Sequence, residues 1–244
     1  MQGQGLPPAW RANDRELYIV TGADGTHARS LVQLLHSIAL HERRIRVVVY
    51  DLGLTDVQRS AVYGALVNGT LERFRFEDYP SFFDIKVNAG EYAWKPVIVA
   101  AEIAKSPSPV CWMDAGNQLH SRVHGIRTAV RRDGFYLPES RGSFRRWVHP
   151  DMMAELGLPP DSFADRKNLN AACIAFDPAR PLVKELVRQW AACAERREVI
   201  APDGSNRSNH RQDQALLTVL AYKLGVLSEP SETVRELRIH RDID

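Results

Sequence analysis

The stretch Val110-Cys111-Trp112-Met113-Asp114-Ala115-Gly116-Asn117 decides how the chain is read. Four apolar residues end in a carboxylate, and small and polar residues follow. A parallel strand covered by helices on both faces is apolar throughout, and ligands sit outside its carboxyl end. The pattern predicts a buried strand that delivers Asp114 to the edge of a sheet. The competing reading is that Asp114 only caps the next turn. Two other stretches repeat the pattern. Leu17-Tyr18-Ile19-Val20-Thr21-Gly22 opens into the Gly22-Ala23-Asp24-Gly25 turn, and Arg46-Val47-Val48-Val49-Tyr50-Asp51 again ends in aspartate.

Helical patterns fill the intervals. Leu31, Leu34, Leu35 and Ile38 recur at helical spacing in residues 30–40. Residues 55–67 follow as a helix capped by Thr55 or Asp56, then residues 71–76 as a third strand. Strands alternating with helices over short connections predict an α/β fold, a mostly parallel sheet with right-handed crossovers. Further on, Tyr92-Ala93-Trp94-Lys95-Pro96 opens a helix, with proline suited to its first turn. Lys95 opposes the positive end of the helix dipole. Such a residue either faces an anion or is simply solvated. Residues 126–131 read as a short helix, 135–137 as a strand and 139–165 as a long polar loop bearing Arg141, Arg145 and Arg146. Residues 168–177 read as one strand led by asparagines, and residues 181–194 as an amphipathic helix. His210-Arg211-Gln212-Asp213-Gln214 then starts a last helix that runs to Leu224.

Composition sets limits. A chain of 244 residues with 44% hydrophobic residues buries one sizeable core. We read residues 1–15 as a flexible lead-in and 16–244 as a single domain. The balance of 32 basic to 30 acidic residues forces no broad positive field, so no nucleic-acid partner is expected. No apolar run reaches the roughly 18 residues of a membrane span. Cys111, Cys173 and Cys193 have no metal-type spacing, and two lie in apolar runs. They read as free thiols of a reducing, cytoplasmic compartment. The first strand lacks a GxGxxG turn, and the chain has no GxSxG, HExxH, Walker or CxxC motif.

Taken in order, these segments resemble a nucleotide-sugar glycosyltransferase of the GT-A fold. The opening Ile19-Val20-Thr21-Gly22 strand, the Tyr92-to-Pro96 helix start, the Val110-to-Asn117 strand end, Asn168-Leu169-Asn170-Ala171-Ala172 and Gln212-Asp213-Gln214 carry the resemblance, over about residues 17–224. The Asn170-Ala171-Ala172 and Asp213-Gln214 pair is similar to the glycogenin and galactosyltransferase-like retaining group. The resemblance implies a single Rossmann-like domain that moves a sugar from a nucleoside-diphosphate donor, UDP first among them, to a glycan or other acceptor hydroxyl. It implies that Thr21 and Asp24 lie near the nucleotide, that Lys95 meets phosphate, and that Asp114 and Asn117 contact ribose or metal. Asn170, Asp213 and Gln214 would surround the donor sugar, and His210 would contact phosphate or acceptor. The family's Asp-any-Asp signature is here Asp114-Ala115-Gly116, so one carboxylate is missing. Mn²⁺ or Mg²⁺ would then rest on Asp114 and His240, or be replaced by Lys95 and nearby arginines. A non-catalytic sugar- or partner-binding domain and a sugar nucleotidyltransferase are the alternatives. The first strand's turn has no basic residue, which argues against the nucleotidyltransferase.

Overall fold

The structure, a computed structural model, describes residues 17–244; the lead-in expected over residues 1–15 lies outside them. Its centre is a six-stranded sheet in the order β3-β2-β1-β4-β9-β6. The strands are β1 (Tyr18–Ala23), β2 (Val47–Asp51), β3 (Gly69–Arg73), β4 (Val110–Met113), β6 (Phe135–Tyr136) and β9 (Cys173–Phe176). β1, β2, β3 and β4 pair in parallel, whereas β9 runs antiparallel to both β4 and β6. β5 (Gln118–Leu119) pairs with β10 (Leu237–Arg238), and β7 (Glu139–Ser143) with β8 (Lys167–Leu169), in two small antiparallel ladders.

Helices cover both faces, as the apolar strands require. Ile19, Val47, Val49, Cys111 and Met113 face a core shared with α1 (Ala28–His41), α2 (Asp56–Ala65) and α4 (His124–Asp133). Tyr18, Val20, Val48, Val110 and Trp112 face the opposite core. That side is closed by α3 (Trp94–Lys105), α7 (Pro181–Ala194) and α9 (Gln212–Lys223). The helix starts follow local chemistry. Thr55 caps α2 in a full capping box with Gln58. α7 begins at Pro181, where a missing N–H costs nothing.

Two sequence expectations are corrected here. Residues 139–165 are not a plain loop: they hold β7, α5 (Phe144–Trp147) and α6 (Pro150–Glu155), anchored by buried Phe144, Met152 and Met153. Residues 168–177 are not one strand. β8 and β9 belong to different sheets, and Asn170 Oδ1 accepts from Ala172 N at 2.9 Å to turn the chain between them. Cys111 and Cys173 are buried free thiols and Cys193 a half-buried one, as expected. No helix among the described residues is long and apolar enough to cross a membrane.

A buried ion pair joins the end of α1 to the start of α4. Glu42 Oε1 accepts from Arg127 Nη1 at 2.6 Å and from Val123 N at 2.9 Å. Glu42→Ala removes the carboxylate from a buried guanidinium. We expect a loss of about 3–5 kcal/mol in urea unfolding.

Candidate active site

The carboxyl ends of β1 and β4 open onto one pocket of about 260 Å³. Its walls bring together segments far apart in sequence. Asp24 comes from the turn after β1, Asp114 and Asn117 from the end of β4, Asn170 from the β8–β9 turn, and Asp213 and Gln214 from the first turn of α9. His240 arrives from the tail after β10.

Lys95 ties these segments together. Its ammonium is 3.0 Å from Asp114 Oδ1 and 3.0 Å from Asp213 Oδ2, with Ala171 O at 3.5 Å. It is 4% exposed. Burial opposes its charge, but the two carboxylates outweigh burial and hold its pKa above the ordinary lysine value. The buried ammonium thus faces two carboxylates at 3.0 Å each, which points to a positioning role for Lys95 in place of the phosphate contact expected from the resemblance. Burial pushes the Asp213 pKa up and the Asp114 charge adds to this, while Lys95 pulls it down; the net direction is upward. Trp190 Nε1 donates to the Asp213 carbonyl at 2.9 Å and fixes the start of α9. Trp112 Nε1 donates to Asp114 Oδ1 at 2.6 Å. Lys95 approaches the same oxygen, and among the described residues no hydrogen bond reaches Asp114 Oδ2.

Other expected residues have more local roles. Asn117 is fully buried; its amide donates to Ala172 O at 2.7 Å, but its Oδ1 has no partner. Asp24 Oδ1 binds Thr26 N at 3.1 Å and His27 Nδ1 at 2.9 Å. Gln214 Oε1 accepts from Ala171 N at 3.4 Å. Thr21 does not reach the pocket. It is buried inside β1, and its neighbours Gly22, Ala23 and Asp24 form the wall instead. His210 also lies outside the pocket lining. Its Nε2 pairs with Ile200 O at 2.9 Å, and its Nδ1 accepts from His149 N at 3.2 Å. It joins α8 (Arg197–Ile200) to the start of α9, and burial pushes its pKa down to about 4. A buried histidine with both nitrogens engaged has no free atom for catalysis.

Sequence reasoning missed several wall residues. Arg207 and Arg211 supply positive charge that no carboxylate of the described residues pairs. Arg211 stacks on Trp147 at 4.1 Å, and Arg207 lies 5.3 Å from the Tyr92 ring and donates to its hydroxyl. Tyr92 ends a run of left-handed backbone, Asn88, Ala89, Gly90, Glu91 and Tyr92, with φ of 48°, 55°, 61°, 49° and 55°. Left-handed residues other than glycine cost about 1–2 kcal/mol each. The run is held by Trp94 Nε1 on Ala89 O at 3.0 Å and by Gln212 Nε2 on Glu91 at 3.3 Å. Asp242 also lines the pocket. Nothing in the local sequence marks these residues, apart from the arginines flanking the His210–Gln214 cluster.

Comparison with known proteins is consistent with this architecture. No protein-family model matches the chain, and no curated protein sequence matches it significantly. Solved structures do match. The galactosyltransferase LgtC, in complex with donor and acceptor sugar analogues, has a TM-score of 0.52 at 18% identity, covering 82% of this chain and 68% of its own. The bifunctional glycosyltransferase WbbM has a TM-score of 0.53 at 12% identity, covering 93% of this chain and 40% of its own. Core-mannan synthase A from Aspergillus fumigatus, in a Mn/GDP form, has a TM-score of 0.51 at 6% identity, covering 84% and 69%.

Two pH dependences follow. His210 is neutral in the fold because its pKa lies below the ordinary 6.5. Its contribution is complete above pH 6.5 and is lost as pH falls toward about 4. The urea midpoint should drop over that interval, and less so in His210→Gln. Lys95→Met removes the cation between two carboxylates and should cost about 3–5 kcal/mol. With the lowering influence of Lys95 gone, Asp213 binds its proton more tightly in the fold than when unfolded. The variant should therefore lose stability as pH rises above the ordinary carboxylate value of 3.8, measured by urea unfolding at acid and neutral pH. The sheet order, the helices on both faces and the match to three solved transferase structures give the conclusion that this chain has the GT-A fold.

Proposed function

We propose that the chain is a glycosyltransferase that moves a sugar from a nucleoside-diphosphate donor to an acceptor hydroxyl. The observation that carries this reading is the pocket at the carboxyl edge of the sheet, lined by Asp213 and Gln214 and by two cations with no ion pair among the described residues, Arg207 and Arg211. A leaving diphosphate needs positive charge near it, and a sugar cation needs carboxylate or amide oxygen near it. The pocket presents both.

In this reading Asp24 and Asn117 lie toward the nucleotide, and Asn170, Asp213 and Gln214 face the donor sugar. Arg207 and Arg211 stabilise the diphosphate as it leaves. The anomeric carbon loses its bond to the phosphate oxygen and gains one to the acceptor oxygen, and the acceptor proton passes to the departing diphosphate. Asp213, held rigid by Lys95 and Trp190, keeps its carboxyl oriented during this step. The Asp213-Gln214 pair at the start of α9 is similar to that of the retaining group, so retention of anomeric configuration is the outcome proposed. UDP-sugars are the first donors to test, and glycans the first acceptors. Asp114 and His240 offer an oxygen and an imidazole nitrogen to one pocket, a donor set suited to Mn²⁺ or Mg²⁺. Such an ion supplies charge neutralisation on the diphosphate. Among the described residues no three acidic, histidine or cysteine side chains are already gathered around a metal position. Three cysteines without the spacing of a disulfide framework favour a reducing, cytoplasmic setting.

A binding domain without catalysis is the second reading, favoured by the absence of a side chain at Gly116 beside Asp114. Calorimetry with UDP and GDP, with and without Mn²⁺, paired with release of UDP from UDP-sugars, separates the two. Asp213→Asn should lower turnover about 10²-fold or more while nucleotide binding stays near wild type. Binding without turnover for any donor favours the binding domain, and failure to bind either diphosphate overturns the transferase and leaves the sugar- or partner-binding domain.

A further inference from the structure

The tail after β10 is pinned at several points. Arg241 N donates to Gly116 O at 2.6 Å, and Gln33 Nε2 donates to Arg241 O at 2.8 Å. Ile243 N donates to Ser30 Oγ at 2.9 Å. The Asp244 carboxylate accepts from Arg29 N at 2.9 Å and Ser30 N at 3.0 Å, at the positive end of α1. Residues 241, 243 and 244 are thus fixed to Gly116 and to the first turns of α1, and Asp242, a pocket residue, lies between them.

Its carboxylate rests on Gly116. A Cβ at position 116 would clash with both carboxylate oxygens of Asp242. The carboxylate therefore fills the volume into which a side chain at 116 would project. Asp114 and Asn117 line the same pocket as Asp242, and the fully buried Asn117 Oδ1 has no partner among the described residues. A buried acceptor left unpaired costs about 1–3 kcal/mol, and Asn117 is one of the residues that line the pocket. His240 lines the same pocket, on left-handed backbone with φ 55°. Anionic and neutral oxygens with one imidazole are ligands for a hard divalent cation.

We propose that Asp242, carried back across the sheet by the C-terminal tail, is the second carboxylate of a divalent-cation site whose first is Asp114. It takes the place of the side chain missing at Gly116. Position 116 must then be glycine, because any larger residue displaces the Asp242 carboxylate. The proposal deepens the transferase reading and rests on it only for the anion that the cation would meet.

The test is titration of Mn²⁺ into the protein, followed by the loss of the free-ion electron paramagnetic resonance signal, with and without UDP. Thermal melting confirms folding. Wild type should bind Mn²⁺. Asp242→Asn, similar in shape, should weaken binding by about tenfold or more with an unchanged melting midpoint. Gly116→Asp/Asp242→Gly, which moves the carboxylate back onto the β4 turn, should restore binding to within about threefold of wild type. Wild-type Mn²⁺ affinity in Asp242→Asn overturns the proposal. UDP binding by wild type without any Mn²⁺ binding also overturns it and leaves the donor pocket standing. Asp242-dependent Mn²⁺ binding with no affinity for UDP or GDP supports the cation site and sinks the nucleotide-sugar reading instead.

Discussion

The buried ammonium of Lys95 is the constraint on which the site depends. Two carboxylates from distant segments, Asp114 at the end of β4 and Asp213 at the start of α9, converge within 3.0 Å of it. Removing the Lys95 and Asp213 charges from water costs several kcal/mol per ion, and only close pairing returns that cost. Without the lysine, two carboxylates would face each other in a low-dielectric wall. With it, the ends of β4 and α9, the start of α3 and the β8–β9 turn are held in one arrangement. A lysine at a helix start works against the helix dipole. Its presence there is explained by the two anions it serves, not by its own helix.

Around that fixed centre the pocket rim is preorganised. The left-handed run through Asn88–Tyr92 stores strain, and side-chain hydrogen bonds from Trp94 and Gln212 keep it in place. Tyr92 in turn positions Arg207, while Trp147 positions Arg211. Guanidinium groups stacked on aromatic faces lose less freedom when they meet an anion than free side chains would. The rim is therefore set before any ligand arrives, and the tail completes it. β10 pairs with β5 and brings His240 and Asp242 to the end of β4, more than a hundred residues from Asp114 in sequence.

The sheet was legible in the sequence. Apolar runs ending in Asp51 and Asp114 placed β2 and β4, and the spacing of Leu31, Leu34 and Leu35 placed α1. Local pattern suffices there because each strand is buried on both faces and each helix on one. The 168–177 stretch was misread because its apolar run continues through Asn170, and only a local side-chain hydrogen bond splits it into two strands. The 139–165 stretch was misread because its polar content hides a few buried anchors, Phe144, Met152 and Met153. Thr21 and His210 were drawn into the site by nearness in sequence to Asp24 and Asp213, but the strand and the loop turn their side chains into the interior.

The sequence by itself determined the fold class, the carboxyl-edge position of Asp114 and the carboxylate and amide at the start of α9, because these follow from periodicity, capping preference and the geometry of parallel strands. Tertiary structure alone decided what those groups meet. Lys95 could be solvated or phosphate-facing on sequence grounds, and burial between two carboxylates settles it. Asp242 could not be assigned a neighbour at all. A contact between Gly116 and a residue in the tail depends on how the chain returns after β10, and long-range approach leaves no periodic trace in the sequence.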